Sequence, residues 1–151
     1  MIALLAIAPS LAHIPVIYIA GPAEDWCAVI NGTIGSDIVM LLPGEYPGPC
    51  DIVAKLSDMS GEQTVVQSFD PVDPAVFVAG GADYVLDVSG VSLLLMQLEF
   101  RDLPAGVTAV RVGEIEAFWV RFAWFRNIAG DAIVQRGNAG QLFVTDTEFT
   151  G

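Results

Sequence analysis

Two glutamates carry the chemistry most worth weighing in this 151-residue chain. Glu99 and Glu148 occupy equivalent places in segments that repeat, Leu98-Glu99-Phe100 and Thr147-Glu148-Phe149, with Ala123-Trp124-Phe125 between them. If each segment is one layer of a stacked β-structure, two layers set the backbones about 9.6 Å apart. That is near the carboxylate separation with which inverting glycosidases admit a water, and Trp124 between them offers a face on which a sugar stacks. Glutamates solvated on an outer strand explain the same pattern without chemistry. Arg101 and Arg126 recur in the same way, each followed by a short polar residue, Asp102 and Asn127. Such residues at a turn satisfy local backbone groups. No catalytic residue is therefore assigned.

The remaining reactive side chains are few. His13 is the sole histidine, so no serine or cysteine nucleophile has a base outside the first residues. Two thiols and one histidine do not make a metal quartet, and Asp70 and Asp73 in Phe69-Asp-Pro-Val-Asp-Pro74 do not follow a calcium-loop spacing. No metal and no cofactor are assigned. In an oxidising compartment Cys27 and Cys50 would close a disulfide loop of about two dozen residues, worth roughly 3 kcal/mol; two unpaired buried thiols are the alternative. Asn31-Gly32-Thr33 is a glycosylation sequon, which makes Asn31 a candidate acceptor. The formal charge of −12, with only six basic residues, excludes nucleic acid as a natural partner and disfavours anionic membrane surfaces.

The elements that must position these residues are strands. Phe100, Phe125 and Phe149 recur about every two dozen residues, in step with Leu93, Phe118 and Leu142 and with Leu95, Val120 and Val144. Val85, Ala109 and Ile133 keep a second register, as do Gly113 and Gly137. Each repeat reads as two short apolar strands, Leu93–Phe100 and Thr108–Val112, then Phe118–Phe125 and Ala132–Gln135. No crossover helix lies between them, which leaves stacked coils. Upstream, 37–46, 51–56 and 63–69 read as further strands, and 24–31 as a short amphipathic helix.

Residues 1–23 form an apolar leader, and 24–151 the solenoid domain. Met1 to Ala20 is uncharged; Ile2 to Ala8 has the look of a signal-peptide core, with Ser10-Leu11-Ala12 as a small-residue cleavage site. Pro9 and Pro15 argue against a membrane span. If the leader is retained, Ile14 to Ile19 reads as a strand that needs somewhere to be buried.

A short helix, a turn, then Asp37-Ile-Val-Met-Leu-Leu-Pro-Gly-Glu-Tyr46 resembles the opening of pectate-lyase-like right-handed parallel β-helix proteins. The segments Leu98–Asp102, Ala123–Asn127 and Thr147–Gly151 are similar to later coils of that fold. The resemblance implies an all-β parallel β-helix with an N-terminal capping helix over roughly 24–151. It is unspecific for function, because this scaffold carries lyases, hydrolases, adhesins and fibres. Its lyases use calcium held by several carboxylates with an Arg or Lys as base. Here the sole lysine, Lys55, has only Asp51 and Asp58 near it in sequence, and Arg101 and Arg126 are explained as turn residues.

Strand alternation sends Leu94, Trp119 and Phe143 outward in one apolar column, with Trp124 elsewhere on the same face. Together with Ile14, Val16, Ile17 and Tyr18 they form the expected assembly surface. The sequence also stops directly after a strand, which leaves its last coil without a cap. These features lead to the expectation of a secreted structural subunit that self-associates into an extracellular filament or surface layer. The alternative is a carbohydrate-binding or carbohydrate-cleaving β-helix, with glycans as partners.

Overall fold

The computed structural model describes residues 14–53, 63–90, 92–114, 117–137 and 140–151. These residues wind into a parallel β-solenoid of about five coils. Strands β1 (Ile17–Ala20), β2 (Ile38–Leu41), β5 (Thr64–Ser68), β8 (Leu93–Met96), β11 (Ala117–Arg121) and β14 (Gln141–Thr145) form the first sheet. The second contains β3 (Gly44–Pro47), β6 (Ala75–Val78), β9 (Glu99–Leu103), β12 (Trp124–Ile128) and β15 (Glu148–Thr150). The third contains β4 (Cys50–Ile52), β7 (Tyr84–Val88), β10 (Thr108–Val112) and β13 (Ile133–Gln135). Among the described residues the one helix is α1 (Trp26–Gly32).

Every pairing is parallel, so each side chain stands above its counterpart in the neighbouring coil, about 4.8 Å away. The alternation of strand side chains then sorts residues into inward and outward columns. Val39, Val66, Leu95 and Val120 make one buried column. Tyr46, Phe77, Phe100 and Phe125 make another, which ends on the exposed Phe149, with successive ring centroids 5.7, 5.1, 4.9 and 4.9 Å apart. The apolar character of the sequence thus goes into a narrow interior filled from three sides.

The N-terminal end is closed by α1. Asp25 caps it by accepting from the Ala28 amide, and Trp26 turns its edge to Tyr46 and Phe77 at 5.8 and 5.4 Å. A Cys27–Cys50 disulfide fastens the helix to β4. Asn31 adds a second tie: its Nδ2 donates to the Cys27 and Asp51 carbonyls, and its Oδ1 accepts from the Val53 amide. A glycan on this nitrogen would take the place of one of those donated hydrogens.

The structure differs from the sequence reading at the corners. Each coil from β2 to β13 has three strands, not two, because the runs 37–46 and 93–100 bend in the middle. The second bend is at Gln97, which adopts a left-handed backbone (φ 57°); Phe122 and Asp146 repeat it one and two coils later. Asp102 and Asn127 bend in the same sense further along, and Asn127 Nδ2 donates to Asp102 Oδ1 at 2.7 Å. Short polar side chains tolerate this region by bonding locally. In the third sheet Ile133 stands on Val110, not Ala109, one residue out of the expected register. β1, which lies ahead of residue 24, pairs with β2 inside the first sheet. The signal-like run Ile2–Ala8, His13, Lys55 and Asp58 lie outside the described residues.

Candidate functional site

The outer face of the second sheet gathers most of the chemistry-bearing residues. Its register aligns Glu45, Val76, Glu99, Trp124 and Glu148 in one outward column. Two residues along, Pro47, Val78, Arg101, Arg126 and Thr150 follow. Glu99, expected to be solvated, is instead 5% exposed. Arg101 and Arg126 flank it, and it shares a cleft with part of the 69–74 segment, which joins β5 to β6 by a longer connection than the two residues at the same corner of later coils. Asp70 Oδ1 accepts from the Val72 amide at 2.8 Å, which shapes this turn. Pro71, Val72 and Pro74 then form one wall of a cleft of about 160 Å³, completed by Glu99, Trp124 and Arg126.

Burial of a carboxylate demands compensation. Glu99 Oε1 lies 3.5 Å from Arg101 Nη1, and Oε2 accepts from Arg126 Nη1 at 3.5 Å. Arg101 is shared with Glu45 at 3.7 Å and Asp102 at 3.6 Å. The Arg126 guanidinium also stands 5.8 Å over the Trp124 ring. At these distances and angles Oε1 accepts no hydrogen bond from the described residues. The cleft therefore holds a charged acceptor with unused capacity, a donor fork and an indole within one side-chain length. Glu99 and Glu148 do stand two coils apart, but Trp124 fills the rung between them.

A second polar cluster sits on the outer face of the third sheet. Tyr84 donates to Asp51 Oδ1 at 2.6 Å, and Arg111 stacks 4.6 Å over the Tyr84 ring while pairing with the Asp83 carboxylate. The hydrogen bond to Asp51 pushes the Tyr84 hydroxyl up to about 12, and the bond from Arg111 holds Asp83 below the usual carboxylate range. Its groups are mutually paired. Among the described residues no group of three or more His, Cys, Asp or Glu side chains is placed to hold a metal ion.

The expected assembly residues divide. Leu94, Trp119 and Phe143 do share an outward column, with the Trp119 and Phe143 rings stacked at 5.6 Å. The column runs further than the repeat indicates, through Val65 and Ile38 to Ile17. Ile14, Val16 and Ile17 are exposed, while Tyr18 packs against the core. Trp124 belongs to the neighbouring sheet and the polar cleft, not to this column.

Fold and site together define a parallel β-helix with a polar cleft on one outer face. Among solved structures the chain is similar to a PL6 family alginate lyase, AlyGC, determined as an arginine-to-alanine mutant, with a TM-score of 0.67 and 15% identity. The match covers 89% of this chain and 20% of the lyase, so the chain spans about a fifth of that structure's length. At this identity the likeness shows the fold. Comparison with family models and with curated proteins returns no match. Among the described residues no helix is long and apolar enough to cross a membrane.

Proposed function

We propose that this chain is a carbohydrate-recognising β-helix that works outside the cell and receives its ligand in the Glu99–Trp124–Arg126 cleft. The observation that carries the reading is a buried carboxylate with an unused acceptor position, set beside an indole and a guanidinium. Sugars are bound by that combination: apolar ring faces stack on aromatics, and hydroxyls complete fixed polar groups. Similarity to an alginate lyase supports the same class of ligand. The Cys27–Cys50 disulfide supports an oxidising compartment. An immobilised oligosaccharide array probed with the wild type and Trp124→Ala tests it. Binding weakened tenfold or more in a variant with unchanged circular dichroism is the expected result; no binding to any glycan would end the reading.

A second reading, self-association into a filament or layer, is favoured by one observation. Ile17, Ile38, Val65, Leu94, Trp119 and Phe143 make an outward apolar column across all six strands of the first sheet. Surfaces of this kind on soluble proteins mark partner contacts. Sedimentation velocity over a range of concentrations, with Leu94→Glu as the control, distinguishes a concentration-dependent assembly from a monomer.

A further inference from the structure

Resting on the carbohydrate reading of the cleft, we infer that its ligand is a neutral, hydroxyl-bearing glycan and not an acidic one, with Glu99 accepting from a sugar hydroxyl. The first reason is the missing hydrogen bond. Glu99 Oε1 is buried and accepts none from the described residues, although Arg101 stands 3.5 Å away. A buried acceptor in this state calls for a donor. A sugar hydroxyl brings one, on neutral and acidic glycans alike; a uronate carboxylate turned toward Oε1 brings only further acceptors, so the charge of the face decides between the two classes.

The second reason is the local charge. Both arginines of the face are already matched by Glu99, and Arg101 is shared with Glu45 and Asp102 as well. Glu148 stands one rung beyond Trp124. Carboxylates thus outnumber guanidiniums around the cleft, in a chain whose formal charge is −12. An incoming polyanion meets repulsion both at the site and at long range. A cationic amino sugar would also offer a donor, but it would meet the Arg126 guanidinium that lines the cleft. Pro71, Val72, Pro74 and Trp124 supply the apolar walls that suit the C–H faces of an uncharged ring.

Isothermal titration of the wild-type protein with neutral hexasaccharides (glucan, mannan and galactan) and with oligogalacturonate and oligoalginate of equal length tests the inference. Binding of a neutral hexasaccharide with little change between low and high salt, and at least tenfold weaker binding of every uronate, is the expected result. Tighter binding of a uronate, weakening as salt rises, would overturn the neutral assignment while leaving the carbohydrate reading intact. Binding of none of the five would overturn both. Glu99→Gln gives an independent sign: it should weaken the neutral glycan about tenfold, the difference between a charged and a neutral acceptor, and should not weaken a uronate. A variant that binds both classes as the wild type does would remove Glu99 from the site, with its thermal unfolding curve showing that it is folded.

Discussion

The rings of Phe100 and Phe125 lie 4.9 Å apart with 4° between their planes. Each is held in this geometry by a ring above and a ring below, because both belong to a column that runs from Tyr46 to Phe149. Phe100 is fully buried in the middle of it. Phe100→Ala should cost about 3–5 kcal/mol, since the coils are tied by backbone ladders and cannot collapse onto the gap. Phe100→Leu should cost less. Urea unfolding curves compare the two.

The disulfide holds the helical cap over the first rings of that column. With Cys27 and Cys50 separated by 23 residues, the double change to serine should lower stability by about 3 kcal/mol. The effect should be local as well as global: amide exchange in α1 should accelerate more than exchange in β9 and β12. Hydrogen-exchange mass spectrometry reads both. Equal acceleration everywhere would mean that the helix and the coils unfold as one unit.

Glycine 80 marks a place where two coils touch through bare backbone. A Cβ on Gly80 would stand 1.4 Å from the Gly48 carbonyl oxygen, whereas one on Gly32 would meet nothing within 4 Å. Gly80→Ala should therefore destabilise by more than about 4 kcal/mol or prevent folding. Gly32→Ala, at a helical position, should be neutral or stabilising by about 0.5 kcal/mol. Expression yield and melting temperature of the pair provide the comparison.

Alkaline pH should loosen the cap end. Burial, reinforced by the charge of Glu24, raises the Tyr46 hydroxyl from 10.0 to about 12 while it donates to the Leu42 and Ala20 carbonyls. Because the folded value is the higher one, the unfolded chain holds fewer protons between the two. Stability is full below pH 10 and falls as pH rises toward 12. Tyr46→Phe should flatten part of this decline, and the rest belongs to Tyr84, which is raised to the same extent. Asp83 acts at the other extreme, with the opposite sign: its folded value is lowered, so its contribution is present above the ordinary 3.8 and lost as pH falls through the folded value. Chemical denaturation across this range, with Asp83→Asn as the acid-side control, checks both limbs.

The coils from Leu93 onward were legible because each column there is filled by the same kind of side chain at nearly constant spacing. Phe100, Phe125 and Phe149 stack as that spacing requires. Upstream the columns are just as regular in space, but Ile38, Val65 and Leu94 are joined by connections of unequal length, so the period disappears from the sequence. The three-strand coil was hidden because its bends fall at Gln97, Phe122 and Asp146, where no glycine announces them. Glu99 was the least legible residue. Its pattern is that of a solvated strand position, but Arg101 and Arg126 flank its carboxylate and Pro71, Val72 and Pro74 from an earlier connection share its cleft. The longer corner at 69–74 was the available signal. Count and spacing left Cys27 and Cys50 open between a disulfide and two buried thiols, and the structure bonds them.

The near-constant register of the later coils bears on how such a gene can change length. A tandem copy of residues 93–117 would add one rung to all three sheets and leave every column aligned, since Leu93 stands directly under Phe118. A copy shorter or longer by one residue has to take up the difference at a corner, as the spacing of 25 from Phe100 to Phe125 and of 24 from Phe125 to Phe149 already does; the same change inside a strand would turn the rest of that strand inside out. Recombination is thus tolerated in units of about one coil, with odd residues confined to the corners. The protein can be lengthened or shortened by increments, while the Glu99 cleft, which depends on one unrepeated corner, would keep its copy number of one.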